Sequence, residues 1–268
     1  MADYSLAAHL GSGVYAVGGA ASQIYRTSGS VCLLSPYSHR WGLRARATGA
    51  AGFYDYRLTD FFSEGLPRGI NTVALFPTLE AEHLLSGNWL IAPFVGMGAG
   101  VEVNQRLHHW LAGGGLRNLF VFPIQKFDVR LNSSLLYCGV LKKSLRPIDD
   151  FSVVESGIEL RRPLDLDLFG LPLDGSIFGI NYLFRAGSNL SPFPNRAELH
   201  IAEWEIGITL GTVETVCIWK VKLPRVGISY RFGSEREGIR ILAGDSFPIL
   251  SPRGETIRRF NLMLRQLD

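Results

Sequence analysis

The sequence predicts an all-β chain, an antiparallel transmembrane β-barrel of about twelve strands. Three observations predict it. Apolar residues make up 47% of the 268, yet no run of 18 or more escapes a charge or a turn residue, so a membrane-crossing helix is unsupported. Thirty glycines and 13 prolines cut the apolar content into short segments, as strands and turns require. Within those segments hydrophobicity alternates with period two, the signature of a strand facing two solvents.

Taken along the chain, strands are expected near 13–26, 29–36, 40–56, 70–84, 88–104, 108–121, 125–141, 151–162, 174–186, 197–211, 214–232 and 237–247. The first two are the least patterned, because 1–35 is rich in Gly, Ala and Ser; that region reads either as first strands or as a plug in the lumen. In 41–48, Trp41, Leu43, Ala45 and Ala47 oppose Arg44, Arg46 and Thr48. In 71–82, Val73, Leu75, Leu79 and Ala81 oppose Thr72, Thr78, Glu80 and Glu82. In 89–101, Trp89, Ile91, Val95, Met97 and Val101 oppose Gly96, Gly98 and Gly100. In 127–137, Phe127, Val129, Leu131, Leu135 and Tyr137 oppose Asp128, Arg130, Asn132 and Ser134. Val154, Ile158 and Leu160 oppose Glu155, Glu159 and Arg161. His200, Ala202, Trp204, Ile206, Ile208 and Leu210 oppose Glu203, Glu205, Gly207 and Thr209. The plainest case sets Val226, Ile228, Tyr230 and Phe232 against Gly227, Ser229, Arg231 and Gly233; a helix would mix these sets.

Connections alternate between short (85–88, 211–214) and long (57–69, 142–150, 187–196), as periplasmic turns and outer loops do. The link at 163–173 breaks that rhythm. Residues 1–247 are assigned to the barrel and 248–268 to a tail. In the tail Ile257, Phe260, Leu264 and Leu267 suit a short amphipathic helix, while Phe260, Leu262 and Leu264 suit an extra strand.

The polar faces separate a membrane barrel from a soluble one. They carry Arg and Glu with Gly, Ser and Thr, and the lysines are confined to 126–143 and 220–222. The planar guanidinium fork suits fixed ion pairs in a confined space. Trp41, Tyr54, Tyr56, Trp89, Trp110, Tyr137, Trp204 and Trp219 are placed for interfacial girdles. A net charge of +3 without a dense basic run excludes a dedicated nucleic-acid partner. Cys32, Cys138 and Cys217 are far apart, so they read as small apolar residues on separate strands rather than a metal or redox motif. No cofactor and no metal are expected. Met1-Ala2-Asp3-Tyr4-Ser5 has no basic n-region or apolar h-region, so the reading is a mature chain from which a signal peptide has been removed.

The closing region carries a family resemblance. Lys222-Leu223-Pro224-Arg225-Val226-Gly227-Ile228-Ser229-Tyr230-Arg231-Phe232-Gly233, then Gly238-Ile239-Arg240-Ile241 and a strand ending at Phe247, resembles the end of the solitary autotransporter-like β-barrels of Gram-negative outer membranes. Gly87-Asn88-Trp89 with Pro93-Phe94, and Asp149-Asp150-Phe151 with Glu155-Ser156-Gly157 and Arg161-Arg162-Pro163, look like further landmarks. The resemblance implies a barrel inserted by the outer-membrane assembly machinery, among outer-membrane lipids and lipopolysaccharide, without a large passenger. It implies no established activity. Phe247 fits the terminal aromatic of such barrels, but a tail follows it.

The histidines, His9, His39, His83, His108, His109 and His200, form no nucleophile–base pattern with Ser or Asp, so no catalytic residue is assigned and the chain is read as no enzyme. Adjacent His108 and His109 diverge on a strand and suit an aromatic belt better than a metal. Gly96-x-Gly98-x-Gly100 has no following helix to receive a phosphate; lumen-facing glycines instead make room for a bulky neighbour. The functional lead is the set of charges expected to face the lumen: Arg44, Arg46, Glu80, Glu82, Arg130, Glu155, Glu159, Arg161, Arg185, Glu203, Glu205, Arg231 and Arg240. They suit a narrow porin-like pore for small solutes or a satisfied network that locks the interior, the second being favoured for a small barrel. The expected function is structural or small-solute transport. The alternatives are an outer-membrane enzyme acting on lipid or lipopolysaccharide, and a soluble β-rich binding protein.

Overall fold

The computed structural model describes residues 13–17, 20–36, 40–56, 72–103, 107–141, 147–168, 170–186, 199–213, 215–218, 221–222, 225–233, 236–243 and 257–259. In chain order the strands are β1 Gly13–Val17, β2 Ala20–Leu34, β3 Trp41–Tyr56, β4 Thr72–Ser86, β5 Trp89–Glu102, β6 Leu107–Ile124, β7 Phe127–Leu141, β8 Pro147–Leu168, β9 Leu171–Ala186 and β10 Leu199–Thr212. They continue with β11 Thr215–Ile218, β12 Val221–Lys222, β13 Val226–Gly233, β14 Arg236–Ala243 and β15 Ile257–Arg259. Twelve of them close into one barrel, in the order β1-β14-β13-β10-β9-β8-β7-β6-β5-β4-β3-β2. β11, β12 and β15 make a separate small sheet, with β15 parallel to β11. Closure runs through β1, where Val14 lies opposite Gln23 on one side and Ile239 on the other. All barrel pairings are antiparallel, so every backbone edge along the wall has a neighbour to satisfy it, as a bilayer requires.

Several boundaries differ from the sequence expectation, each for a physical reason. The division of 13–36 falls between Val17 and Ala20 rather than near residue 27; small residues on both faces leave no alternation from which to place a turn. The apparent long link at 163–173 is a hairpin. β8 and β9 run on to Leu168 and Leu171, a register shift follows Pro163, and Gly170 turns the chain at φ 75°. Pro163 lacks an N–H to donate to the ladder, which favours an irregularity there. Residues 165–168 are exposed on both faces, so the hairpin tip projects beyond the wall. The expected strand 214–232 divides: β11 and β12 leave the barrel, and the wall resumes at Val226. The last barrel strand ends at Ala243, and Phe247 lies outside the described residues.

With these corrections three of the shortest links and two of the longest fall at opposite ends. The links after β4, β6 and β8 are two residues each, and they share an end with the start of β1 and the finish of β14. The links 57–71 and 187–198 lie at the opposite end. That contrast is the arrangement of outer-membrane barrels; the two-residue links 18–19 and 234–235 depart from it at the long-link end, and the passage 213–225 departs from it at the short-turn end.

The outer wall is apolar. Val73, Leu75, Leu79, Val95, Met97, Ile177, Leu183, Ile206, Ile208, Ile228 and Ile241 are all exposed on it. A continuous surface of this kind exceeds what a monomer keeps in water and matches what lipid covers. Trp41 and Trp89 open β3 and β5 at the turn end, where an interfacial girdle belongs, but Trp204 sits mid-strand in β10; Trp219 lies outside the described residues.

The glycines of β5 are packing sites. A Cβ on Gly96 or Gly98 would fall 3.0 Å from the Phe76 ring, and on Gly98 it would also collide with the Leu75 carbonyl oxygen. The missing side chains let Phe76 lie across β5. Gly98→Val is expected to cost about 1–3 kcal/mol or more through overpacking, read as a smaller folded fraction by heat-dependent gel mobility after refolding in detergent.

Candidate functional site

The interior divides into a charged region and an apolar one. Side-chain direction follows the register. Arg44 is opposite Glu80 in the backbone ladder, and Arg46 is opposite Thr78. Each guanidinium reaches two residues along the facing strand instead. Arg44 Nε donates to Glu82 Oε1 at 2.6 Å and its Nη2 to Glu82 Oε2 at 3.4 Å. Arg46 Nε donates to Glu80 Oε1 at 2.8 Å and its Nη2 to Oε2 at 3.5 Å. Both are forked pairs of the kind only Arg makes. Arg117 on β6 also donates to Glu80 and lies 3.9 Å from the Phe94 ring centroid.

A second group sits on β7, β8, β9, β10 and the start of β13. Glu159 accepts from Arg161 on its own strand at 3.3 Å, and Arg130, directly across the ladder, is 4.0 Å away. Beside them Arg225 donates to Asp174 and, through Nε at 3.0 Å, to Thr209 Oγ1; Thr209 and Ser176 share a hydroxyl bond of 2.7 Å.

The third group is the most deeply enclosed. Arg231 Nε donates to Glu203 Oε2 at 2.6 Å, with the two side chains only 1% and 0% exposed. Arg231 also stacks 3.9 Å from the Tyr182 ring centroid. Glu205 accepts from Ser229 at 2.6 Å, from the Tyr182 hydroxyl at 2.8 Å, and from Arg240. Four partners on three strands thus meet at two carboxylates.

Against these groups packs an apolar cluster that the sequence reading of a polar lumen did not include. Leu90, Ala92, Leu119, Val121, Cys138, Phe151, Val153, Phe178, Ile180, Tyr182, Phe184 and Leu242 are buried together. They alternate with the exposed wall residues, so they point inward. Cys138 is among them, whereas Cys32 is exposed on β2.

Of the residues expected to face the lumen, Arg44, Arg46, Glu80, Glu82, Arg130, Glu159, Arg161, Glu203, Glu205, Arg231 and Arg240 join these groups. Glu155 is inward and half-buried between β7 and β9. Arg185 is corrected: it follows buried Phe184 and is exposed, so it belongs to the outer face of β9. Arg117, Asp174, Arg225 and Tyr182 were missed. Arg225 was within reach, since it shares parity with Gly227, Ser229 and Arg231. Asp174 opened the expected strand 174–186, on which no contrast between the faces marked the inner one. Among the described residues no group of His, Cys, Asp and Glu could hold a metal ion.

A closed antiparallel barrel with an apolar wall, a charge-paired interior and short turns on the side of its termini is an outer-membrane-type β-barrel, autotransporter-like in architecture. No family model matches the chain, and no curated protein matches it. Among solved structures it is similar to the β domain of the Bordetella autotransporter BrkA, at 11% identity and a TM-score of 0.52, covering 87% of this chain and 92% of that one. LpxR from Salmonella typhimurium is also similar, at 11% identity and a TM-score of 0.46, covering 85% and 90%. The likeness to the BrkA domain shows the fold. The expectation that the chain is no enzyme is withdrawn, because a barrel fold does not by itself decide activity.

Proposed function

We propose that this chain is a sealed barrel of the bacterial outer membrane with a structural role, its interior held shut by ion pairs rather than open to solutes. The single observation that carries the reading is the enclosure of Arg231 with Glu203, and of Glu205 with Arg240, against the apolar cluster. A water-filled pore keeps its charges wet; here the carboxylates are buried and each has a guanidinium. Small barrels fill with side chains in this way. Outer-membrane lipid and lipopolysaccharide are the proposed surroundings, supported by the apolar wall, and the assembly machinery is the proposed route of insertion, supported by the shared architecture.

The test is a planar-bilayer recording with the protein folded in detergent. The wild type is expected to add no regular conductance steps. Replacing Arg44 and Arg46 together by Ala should lower the thermal transition, because Glu80 and Glu82 lose their forked partners, yet leave conductance unchanged. Uniform channel steps in the wild type would overturn the reading in favour of small-solute transport.

A further inference from the structure

At mid-height the described outer wall carries a feature that lipid does not explain. Asn118 on β6 lies opposite Ser133 on β7, Ser133 opposite Ser156 on β8, and Ser156 opposite Asn181 on β9. All four alternate with inward residues, so they form an unbroken polar row across four neighbouring strands of the outer face. Ser133 is at the middle of Phe127–Leu141 and Ser156 near the middle of Pro147–Leu168, which puts the centre of the row at mid-height; from there it slopes, with Asn118 towards the turn end beside Trp89. Above and below it the same strands present Leu116, Leu131, Leu135, Val154, Ile158 and Leu183, all exposed.

The row is only partly satisfied within the barrel. Asn118 Oδ1 accepts from the Trp89 indole, and Asn118 Nδ2 donates to Ser133 Oγ at 3.3 Å. Asn181 Nδ2 donates to the Glu203 carbonyl oxygen at 3.3 Å. An amide has two donors and two acceptor sites, and a hydroxyl one donor and two. That leaves one hydrogen on each amide, the Asn181 carbonyl and the hydroxyl of exposed Ser156 with capacity to spare. An acyl chain offers such groups nothing, and unmet polar groups in hydrocarbon are costly.

We propose that this row is the interface for a second copy of the same chain. Read across the strands it is Asn-Ser-Ser-Asn, the same from either end. A two-fold axis through the middle of such a row sets serine against serine and asparagine against asparagine, because each copy presents the same patch to the other. Copies inserted the same way up share an axis along the membrane normal. Placed between Ser133 and Ser156, that axis brings the serines of one copy to those of the next and makes the two tilted rows cross there. Donors and acceptors are mixed at every position, so the contact is self-complementary without charge. The leucines and valines around the row supply the close-packed remainder. The proposal is independent of whether the lumen is sealed.

Cysteine cross-linking of the full chain in lipid vesicles tests it, in a background of Cys32→Ser and Cys217→Ser. Ser156→Cys is expected to give a disulfide-linked dimer under mild oxidation, while Ile228→Cys, on the outer face of β13, stays monomeric. The combined variant Asn118→Leu, Ser133→Ala, Ser156→Ala and Asn181→Leu should keep heat-dependent gel mobility, showing a folded barrel, and raise the dimer dissociation constant about tenfold or more. Equal cross-linking at 156 and 228, or a folded combined variant that associates as tightly as the parent, would overturn the proposal.

Discussion

Glu203→Ala is expected to cost the barrel about 3–5 kcal/mol of folding stability, the largest loss from any single lumenal side chain. The reason is what remains. Arg231 is almost fully enclosed, its Nε is held by Glu203 at 2.6 Å, and its two terminal nitrogens have no hydrogen-bond partner. The Tyr182 ring at 3.9 Å offers a face to the cation but no acceptor along the fork. Glu205, opposite Arg231 in the ladder, is already engaged by Ser229, Tyr182 and Arg240. Removing Glu203 therefore strands a buried charge. Replacing both partners, Glu203→Met with Arg231→Met, removes the stranded charge and should recover most of the loss. Urea midpoints of the protein refolded into lipid vesicles give the comparison. If the single and the double variant lose the same stability, the pair acts by packing and not by charge.

That cycle also shows why the interior was readable in outline but not in detail. Period-two alternation put Glu203, Glu205 and Arg231 on one face, because parity is a local property of a strand. It did not say which pairs would form. Arg231 stands opposite Glu205 yet bonds Glu203, and Arg240 crosses from β14 to a carboxylate on β10. Partner choice depends on how side chains lean across the closed wall. The same limit explains the excursion at β11 and β12: Val216 alternates with Ile218 and Val221 with Leu223, with a change of parity between the two pairs, but alternation does not tell a strand which sheet receives it. The apolar half of the interior was missed for a different reason. Phe178, Ile180, Tyr182 and Phe184 alternate with Ile177, Gly179, Asn181 and Leu183, so both faces of β9 are largely apolar and no contrast marks the inner one. Arg185 went astray on that strand.

Ile206→Arg should destabilise the barrel in lipid by about 2–4 kcal/mol, although the residue touches none of the interior groups. Ile206 is near the middle of Leu199–Thr212, between Gly179 and Tyr230, and 56% exposed on the outer face. Exposure to water would make the change nearly neutral; exposure to hydrocarbon forces a guanidinium to be solvated at mid-bilayer. Leu166→Arg supplies the contrast. Leu166 is 60% exposed, but it sits in the β8–β9 hairpin where both faces are exposed beyond the wall, so its substitution is expected to stay within about 0.5 kcal/mol. Two residues of similar exposure and opposite response distinguish their solvents, which accessible area alone does not. Unfolding both variants in vesicles of matched thickness reads the difference directly. Equal, small effects at the two positions would mean that water covers the wall, and the alternation that defines the barrel would then belong to a soluble one.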